Sequence, residues 1–430
     1  MMSDTLELEI EALGAAGDGI ARRDGRTVFV PATLPGERVR ARLTGRRGEA
    51  LTAEAVAVLT PSPDRVAPAC PHVPACGACV LAHWADGPYA AWKRGKLVEA
   101  LARAGFPDAP VAPLACTPPG TRRRADLALR RRPEGVAVGY HERGGDAVLD
   151  LSACAVLDPR IVALLDPLRA LLRRLPALKR DGSAVVNLLE TGPDLLLRTD
   201  GVLDAPGRAL LAGFAAEQGI PRIAWARGNG PAETAAQLGP VAIRFGGVAV
   251  APPPGAFLQA SPAGEAAIVA AVLAGLPERL PARAALADLY AGNGTLTFPL
   301  AARARVSAFE GVAESVAALS AAAGKAGARV TAVRRDLDRQ PLAVKELQGF
   351  AAVVLDPPYA GAAAQMPLLA RAGVPRVVYV SCNPGALARD AQGLAGAGYR
   401  VAAATPVDQF LWSPHLESVV VFCRSRTGTA

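Results

Sequence analysis

Two short motifs place reactive groups directly after apolar runs. Ser381-Cys382-Asn383-Pro384 follows Val377-Val378-Tyr379-Val380, and Asp356-Pro357-Pro358-Tyr359 follows Val353-Val354-Leu355. A free thiol of pKa near 8.5 is only about 3% thiolate at pH 7, so a nucleophilic cysteine needs help from an electropositive surround. A thiolate at such a position could add to C6 of a pyrimidine and turn C5 into an enolate carbon. That carbon can accept an electrophilic methyl group. The C5 proton must then be removed before the thiol can leave, which requires a base. Glu417, in His415-Leu416-Glu417-Ser418 at the entry to Val419-Val420-Val421, is the candidate. Its plain alternative is a solvated charge at a strand start. The Asp-Pro-Pro-Tyr motif supports a rival chemistry, methylation of an exocyclic amino group. There a proline-stiffened loop holds the amine and the aromatic ring stacks on the base, with no use for Cys382 or Glu417.

The methyl donor has its own signal. Asp288-Leu289-Tyr290-Ala291-Gly292-Asn293-Gly294-Thr295 reads as a strand running into a Gly-x-Gly turn and a helix, a backbone that can approach a nucleoside closely. Glu310 closes the next apolar run and is placed to accept hydrogen bonds from ribose hydroxyls. The third glycine of a dinucleotide fingerprint is missing, and no Gly-Lys-Ser/Thr follows. An adenosine cofactor without pyrophosphate fits, and S-adenosylmethionine is the obvious one.

Three of the seven cysteines fall within Cys70-Pro71-His72-Val73-Pro74-Ala75-Cys76-Gly77-Ala78-Cys79. A C-x5-C-x2-C loop rich in Pro and Gly aims several thiolates at one point and needs a fourth ligand, for which Cys154 is the best candidate. Cys116 and Cys423 lie on apolar stretches and read as buried small hydrophobes. Ligand softness admits zinc or an iron–sulfur cluster.

The elements that must position these groups follow from the pattern. The 430 residues are 51% hydrophobic and 20% charged, enough for two or three globular domains. Residues 5–60 alternate as short strands punctuated by Asp18-Gly19, Asp24-Gly25 and Pro35-Gly36, which predicts a small β-barrel. Pro61-Ser62-Pro63 reads as a linker, and Tyr89 to Ala104 as a helix with Tyr89 and Trp92 in its core face. From about Arg124 to Val250 strand and helix signals mix. The last 150 residues show the βαβ rhythm of a doubly wound parallel sheet, with Asp288, Glu310, Asp356 and Cys382 at strand ends. The net charge of +8 is unevenly spread. Arg22, Arg23, Arg26, Arg38, Arg40, Arg42, Arg46 and Arg47 face only Asp24 and Glu37, and a second cluster spans Arg122–Arg124 and Arg130–Arg132. Clustered arginine suits a phosphate backbone, so both clusters are expected to contact RNA phosphates. The N-terminal residues lack a basic segment followed by an apolar one, and a cytoplasmic protein is expected.

Taken together, the motifs around Asp288, Asp356, Cys382 and Glu417 closely resemble the bacterial RNA (uracil-5-)-methyltransferases. Phe257-Leu258-Gln259 looks like that family's cofactor-contacting Phe-x-Gln. Gly17-Asp18-Gly19, Val28-Phe29-Val30-Pro31 and Leu34-Pro35-Gly36-Glu37 look like a TRAM domain, an OB-like RNA-binding barrel. The resemblance implies an α/β protein in three parts: the TRAM-like barrel at 1–60, a mixed α+β central domain at 61–250, and a Rossmann-like S-adenosylmethionine-dependent methyltransferase domain at 251–430. It also implies that the helix near 86–115 packs on the catalytic domain. Carried over by position, Cys382 is the nucleophile and Glu417 the base. Gln259, Tyr290, Thr295, Glu310, Asp336 and Asp356 would contact S-adenosylmethionine. Cys70, Cys76, Cys79 and Cys154 match the ligands of a [4Fe-4S] cluster in the ribosomal-RNA members, with zinc as the alternative. Barrel and cysteines together point to 23S rRNA rather than tRNA. Two positions depart from the family pattern: Tyr359 stands where arginine is usual, and Ser261 where asparagine is usual.

Overall fold

The computed structural model describes residues 5–424. Residues 5–60 form a six-stranded sheet closed around Val28, Val30, Val39, Ala41 and Ala53. Its longest strands, Arg38–Arg47 and Ala50–Thr60, pair antiparallel. Alternation turns the apolar side chains inward, and all eight arginines between residues 22 and 47 are exposed. Glu37 is not one of their surface counter-charges. It is buried, accepts from the Leu34 N–H at 2.9 Å, and is gripped by the Arg65 guanidinium through both oxygens. Ser62 N–H reaches the same carboxylate at 3.2 Å, so the Pro61–Pro63 segment is fixed to the barrel rather than a loose linker.

The central sheet has seven strands, in the spatial order Val148–Asp150, Gly135–His141, Arg124–Arg132, Asp181–Leu189, Gly192–Thr199, Arg222–Arg227 and Glu233–Gln237. Its one parallel pair, Gly192–Thr199 with Arg222–Arg227, is joined by the helix Ala205–Gln218. Asp204 caps that helix through the Gly207 N–H at 2.8 Å, and Gly219 ends it in the left-handed conformation at φ 62°. This sheet gives several arginines of the second cluster partners within the chain. Arg131 donates to the carbonyls of Leu172, Leu175 and Leu178, Arg132 to that of Val148, and Arg130 to Asp181. Arg123 is buried and paired with Glu265. Arg131 thus closes off the end of the helix Leu165–Arg174 and Arg123 ties the central domain to the catalytic one, so both guanidiniums have structural uses.

The C-terminal sheet has eight strands in the order Val330–Arg334, Arg305–Glu310, Ala285–Leu289, Ala352–Leu355, Arg376–Ser381, Glu417–Arg424, Tyr399–Asp408 and Ala115–Cys116. The first five are parallel and Glu417–Arg424 is antiparallel to both its neighbours. The chain steps outward one way from Ala285–Leu289 and then returns to its other side at Ala352–Leu355, which opens a crevice at their carboxyl ends. The hairpin Ile243–Phe245 and Val248–Val250 packs on this body, against Phe298 and Leu319.

An upstream segment completes the sheet. The helix Asp86–Arg103 lays Leu97 and Leu101 among Leu387, Ala391, Leu394 and Phe422, and Ala115–Cys116 then adds the edge strand. Cys423 is buried but Cys116 is exposed, because that edge strand is two residues long and pairs on one side only. No described helix is long and apolar enough to cross a membrane. Lys93 from this helix forms a fully buried ion pair with Asp408, whose second oxygen accepts from Tyr89 Oη at 2.6 Å. Breaking it should cost far more than the pair contributes. Lys93→Met should lower the unfolding free energy by about 3–5 kcal/mol, read as a shift in urea midpoint, and Lys93→Met with Asp408→Leu should recover part of that loss.

Candidate active site

Strand direction assembles the site. Parallel strands place their carboxyl ends on one edge, so Tyr290, Glu310, Asp356 and Cys382 gather there. The antiparallel strand Glu417–Arg424 begins where the parallel ones finish. Its register pairs Ser418 with Ser381, and Ser418 Oγ donates to the Ser381 carbonyl at 3.1 Å. Glu417 therefore stands next to Cys382. Tyr399–Asp408 runs parallel to the first five strands and delivers Gln409 to the same edge.

An amide chain links these groups. Gln409 Nε2 donates to Glu417 Oε2 at 2.8 Å and to Gln259 Oε1 at 2.7 Å, while Gln259 Nε2 donates to Asp356 Oδ2 at 3.1 Å. Glu417 is 3% exposed and its Oε1 has no partner among the described residues. The solvated strand-start reading of Glu417 is thereby overturned. Gln409 carried no motif in the sequence. Its signal was only its place one residue beyond the strand Tyr399–Asp408.

The electrostatics are acidic. Burial pushes Asp356 up to about 7, against the hydrogen bond from Gln259. Burial and then Asp356 hold Glu417 well above the usual carboxylate range, against the hydrogen bond from Gln409. Burial, followed by Glu417 and Asp356, pushes the Cys382 thiol up to about 12. The surround is the reverse of an electropositive loop. What favours the thiolate is the N-terminus of the helix Pro384–Gly396 just after it, capped by Asn383 through the Gly385 N–H at 3.0 Å.

In the crevice, Glu310 accepts from the N–H groups of Gly292 and Val312, both at 2.8 Å, which fixes its carboxylate against the Gly-x-Gly turn. Tyr290 takes the left-handed conformation at φ 60° there, and its hydroxyl donates to Asp338 at 3.4 Å. Thr295 lies half-buried in the same turn. Asp336 is exposed and closes its own turn, accepting from the N–H groups of Asp338 and Arg339. Asp288 is the acid of this crevice set deepest in the sheet. It lies within its strand, 1% exposed, and accepts from Thr297 Oγ1 at 2.5 Å. Ser261 caps the helix Pro262–Gly275 through the Gly264 N–H at 3.1 Å, a structural use for that departure from the family pattern.

Above the thiol lies a cleft of about 580 Å³. Cys382, Tyr359 and His415 border it on one side, and Trp92 and Lys96 with the barrel turn at Leu13–Ala16 on the other. Tyr359 is exposed and meets the His415 ring edge-on at 6.3 Å. Burial, then Lys96, Lys93 and Arg122, keep His415 below its ordinary pKa.

A second cavity, of about 510 Å³, is bordered by Cys70, Cys76, Cys79 and Cys154 together. His72 ties the loop to the Cys154 turn by accepting from the Ser152 N–H at 3.1 Å. Burial and then the neighbouring cysteines push Cys79 up to about 12. Among the described residues, no group of three His, Cys, Asp or Glu side chains is drawn together as a single bound ion would require.

A switch-point crevice with acid-tipped strands and an antiparallel final strand defines the class, a Rossmann-like methyltransferase. Residues 267–425 match the family described as tRNA (Uracil-5-)-methyltransferase, and residues 2–56 match the TRAM domain. A Caulobacter vibrioides protein named as an uncharacterized RNA methyltransferase is 43% identical, covering 97% of this chain and 100% of that one. The Pectobacterium atrosepticum 23S rRNA (uracil(1939)-C(5))-methyltransferase RlmD is 36% identical, covering 97% and 93%. The crystal structure of Pyrococcus abyssi tRNA (uracil-54, C5)-methyltransferase with S-adenosyl-L-homocysteine shares the fold. Its TM-score is 0.74 at 21% identity, covering 97% of this chain and 99% of that one. The chain belongs to the RNA (uracil-5-)-methyltransferase family and is an S-adenosylmethionine-dependent enzyme acting on C5 of uracil in RNA.

Asp288 gives the site a measurable pH signature. Burial pushes its folded-state pKa up to about 7, well above the usual carboxylate range, so the folded protein holds the proton more tightly than the unfolded chain. Its contribution is complete below about pH 4 and is lost as pH rises through 7. The ligand-free protein should therefore lose stability between about pH 4 and 7, and Asp288→Asn should remove about 2–4 kcal/mol of that loss, read from urea unfolding at several pH values.

Proposed function

We propose that this enzyme methylates a uridine of 23S rRNA through a covalent bond between Cys382 and C6 of the base. The observation that carries this reading is the register that sets the Cys382 thiol beside the buried Glu417 carboxylate at the mouth of the crevice. S-adenosylmethionine supplies the electrophilic methyl group. Gln259, Tyr290, Thr295, Glu310 and Asp356 line or adjoin the crevice that would hold it, and the role of Asp336 rests on the family resemblance. The target base is extruded from its stack into the cleft, since C6 and C5 must reach thiol and methyl together. Cys382 gives its proton to solvent and adds to C6 as the thiolate, C5 takes the methyl group as the sulfonium S–CH3 bond breaks and leaves a neutral thioether, and ionised Glu417 accepts the C5 proton through its unpartnered Oε1. The thiol then leaves and the ring regains its double bond. A raised carboxylate pKa suits a base that must hold that proton near neutral pH.

The 23S assignment draws on the relative of that name, which aligns along 93% of its length. For the cysteines, we propose a [4Fe-4S] cluster. Four thiols around 510 Å³ have room for it, and the Cys76 and Cys79 thiols, pushed up by burial, would lose their protons on binding metal.

Cys382→Ala should abolish methylation and every covalent protein–RNA species. Glu417→Gln should slow turnover by about 10²–10⁴-fold and accumulate a denaturation-resistant adduct. RNA carrying 5-fluorouridine at the target should trap the wild type, because fluorine cannot leave as a cation. An active Cys382→Ala enzyme would overturn the mechanism. Mass mapping of 5-methyluridine in a deletion strain should show the loss in 23S rRNA, and loss in tRNA would reassign the substrate. Protein purified without oxygen should contain iron and absorb in the visible; stoichiometric zinc without iron would identify the site as zinc.

A further inference from the structure

We infer that Gln409 is a positioning residue for the base, holding Glu417 so that one carboxylate oxygen is occupied and the other faces the reacting carbon. The inference rests on Glu417 as the base. Its first support is an orientation that cannot be reversed. Gln409 Oε1 accepts from the Ala260 N–H at 2.8 Å, and a backbone N–H can only donate. The amide nitrogen must then face Gln259 Oε1 and Glu417 Oε2, and both of its hydrogens are used. Its second support is the asymmetry left on Glu417, whose Oε2 is held while Oε1 is buried without a partner. An orphaned carboxylate oxygen in a buried site costs stability unless something fills it. The C5 proton of a bound base is what would fill it.

The same amide is anchored from outside the crevice. Asp408, the preceding residue, is locked by Lys93 and Tyr89, and its carbonyl accepts from Thr117 Oγ1 at 2.6 Å. Ala260 is held in turn by Arg123, whose N–H donates to its carbonyl at 2.9 Å. Gln409 is thus fixed by three parts of the chain before it touches Glu417. The ionisable groups facing Glu417 are Asp356 and Cys382, each of which gains from a proton when Glu417 is charged. The nearby Lys93–Asp408 and Arg123–Glu265 pairs are each closed on themselves. Gln409 is the one side chain donating a hydrogen bond to the Glu417 carboxylate among the described residues. Removing that donor disfavours the charged form, so the base is less ionised at neutral pH and recovers as pH rises.

The test compares wild type with Gln409→Met, which keeps the length and deletes the donor. Adduct formation on 5-fluorouridine RNA reports that the site is folded. With ordinary RNA, quenching at intervals from pH 6 to 9 follows adduct and 5-methyluridine. Resolution of the adduct should slow by about tenfold at neutral pH, and its pH midpoint should rise by about one unit, with KM for RNA unchanged. Should Gln409→Met fail to form the fluorouridine adduct, Gln409→Asn, one methylene too short, should show the same shift. A resolution rate and midpoint equal to wild type overturn the inference, as does slowing with no change in midpoint. Failure of the base assignment itself is separate, because it shows as a Glu417→Gln enzyme that resolves its adduct normally.

Discussion

The antiparallel register of the last strand governs the chemistry. Pairing Ser418 with Ser381 is a backbone event, decided by the apolar runs Val377–Val380 and Val419–Phe422 burying against each other. A slip of one residue would turn Glu417 to the other face of the sheet, since side chains alternate. The sheet core, far larger than any interaction within the site, therefore determines whether a base stands beside the thiol. Val407 pairs with Glu417 on the strand's other side, so the same register brings Gln409 within reach.

Around that edge the protein places acids without cations. Among the described residues, no lysine or arginine side chain hydrogen-bonds to Asp288, Glu310, Asp356 or Glu417. Burial drives Asp288, Asp356 and Glu417 toward holding protons. S-adenosylmethionine carries a sulfonium, and an acidic, largely dry crevice favours a cation over a neutral molecule.

Much of this was legible in the sequence because the reactive residues sit in short motifs at strand ends. Cys382, Asp356 and Glu310 each follow an apolar run, and a parallel sheet brings such ends together. Cys70, Cys76 and Cys79 stand in one tight loop of sequence, and with Cys154 they border one cavity. What escaped depends on partners distant in sequence. Gln409 has no motif, and its role exists only through residues 259, 260 and 417. Arg131 looked like a phosphate ligand because its targets, the carbonyls of residues 172, 175 and 178, leave no trace in side-chain pattern. Cys116 looked buried because apolar neighbours predict a strand but not an edge. The acidity around Cys382 was hidden too, since burial of Glu417 is a property of the packed sheet.

The helix Asp86–Arg103 has a consequence for how the chain is made. Its apolar face belongs to a sheet whose last strands lie some three hundred residues later, the Lys93–Asp408 separation being 315. At ribosomal rates of about 5–20 residues per second, Lys93 waits about 15–60 s for its partner. During that interval Leu97 and Leu101 have no surface to cover them, while the barrel before them and the central sheet after them can already close. The order of synthesis and the order of assembly therefore differ. The enzyme's active edge is completed from both ends of the chain at once, and it cannot be lifted out as a self-sufficient C-terminal module.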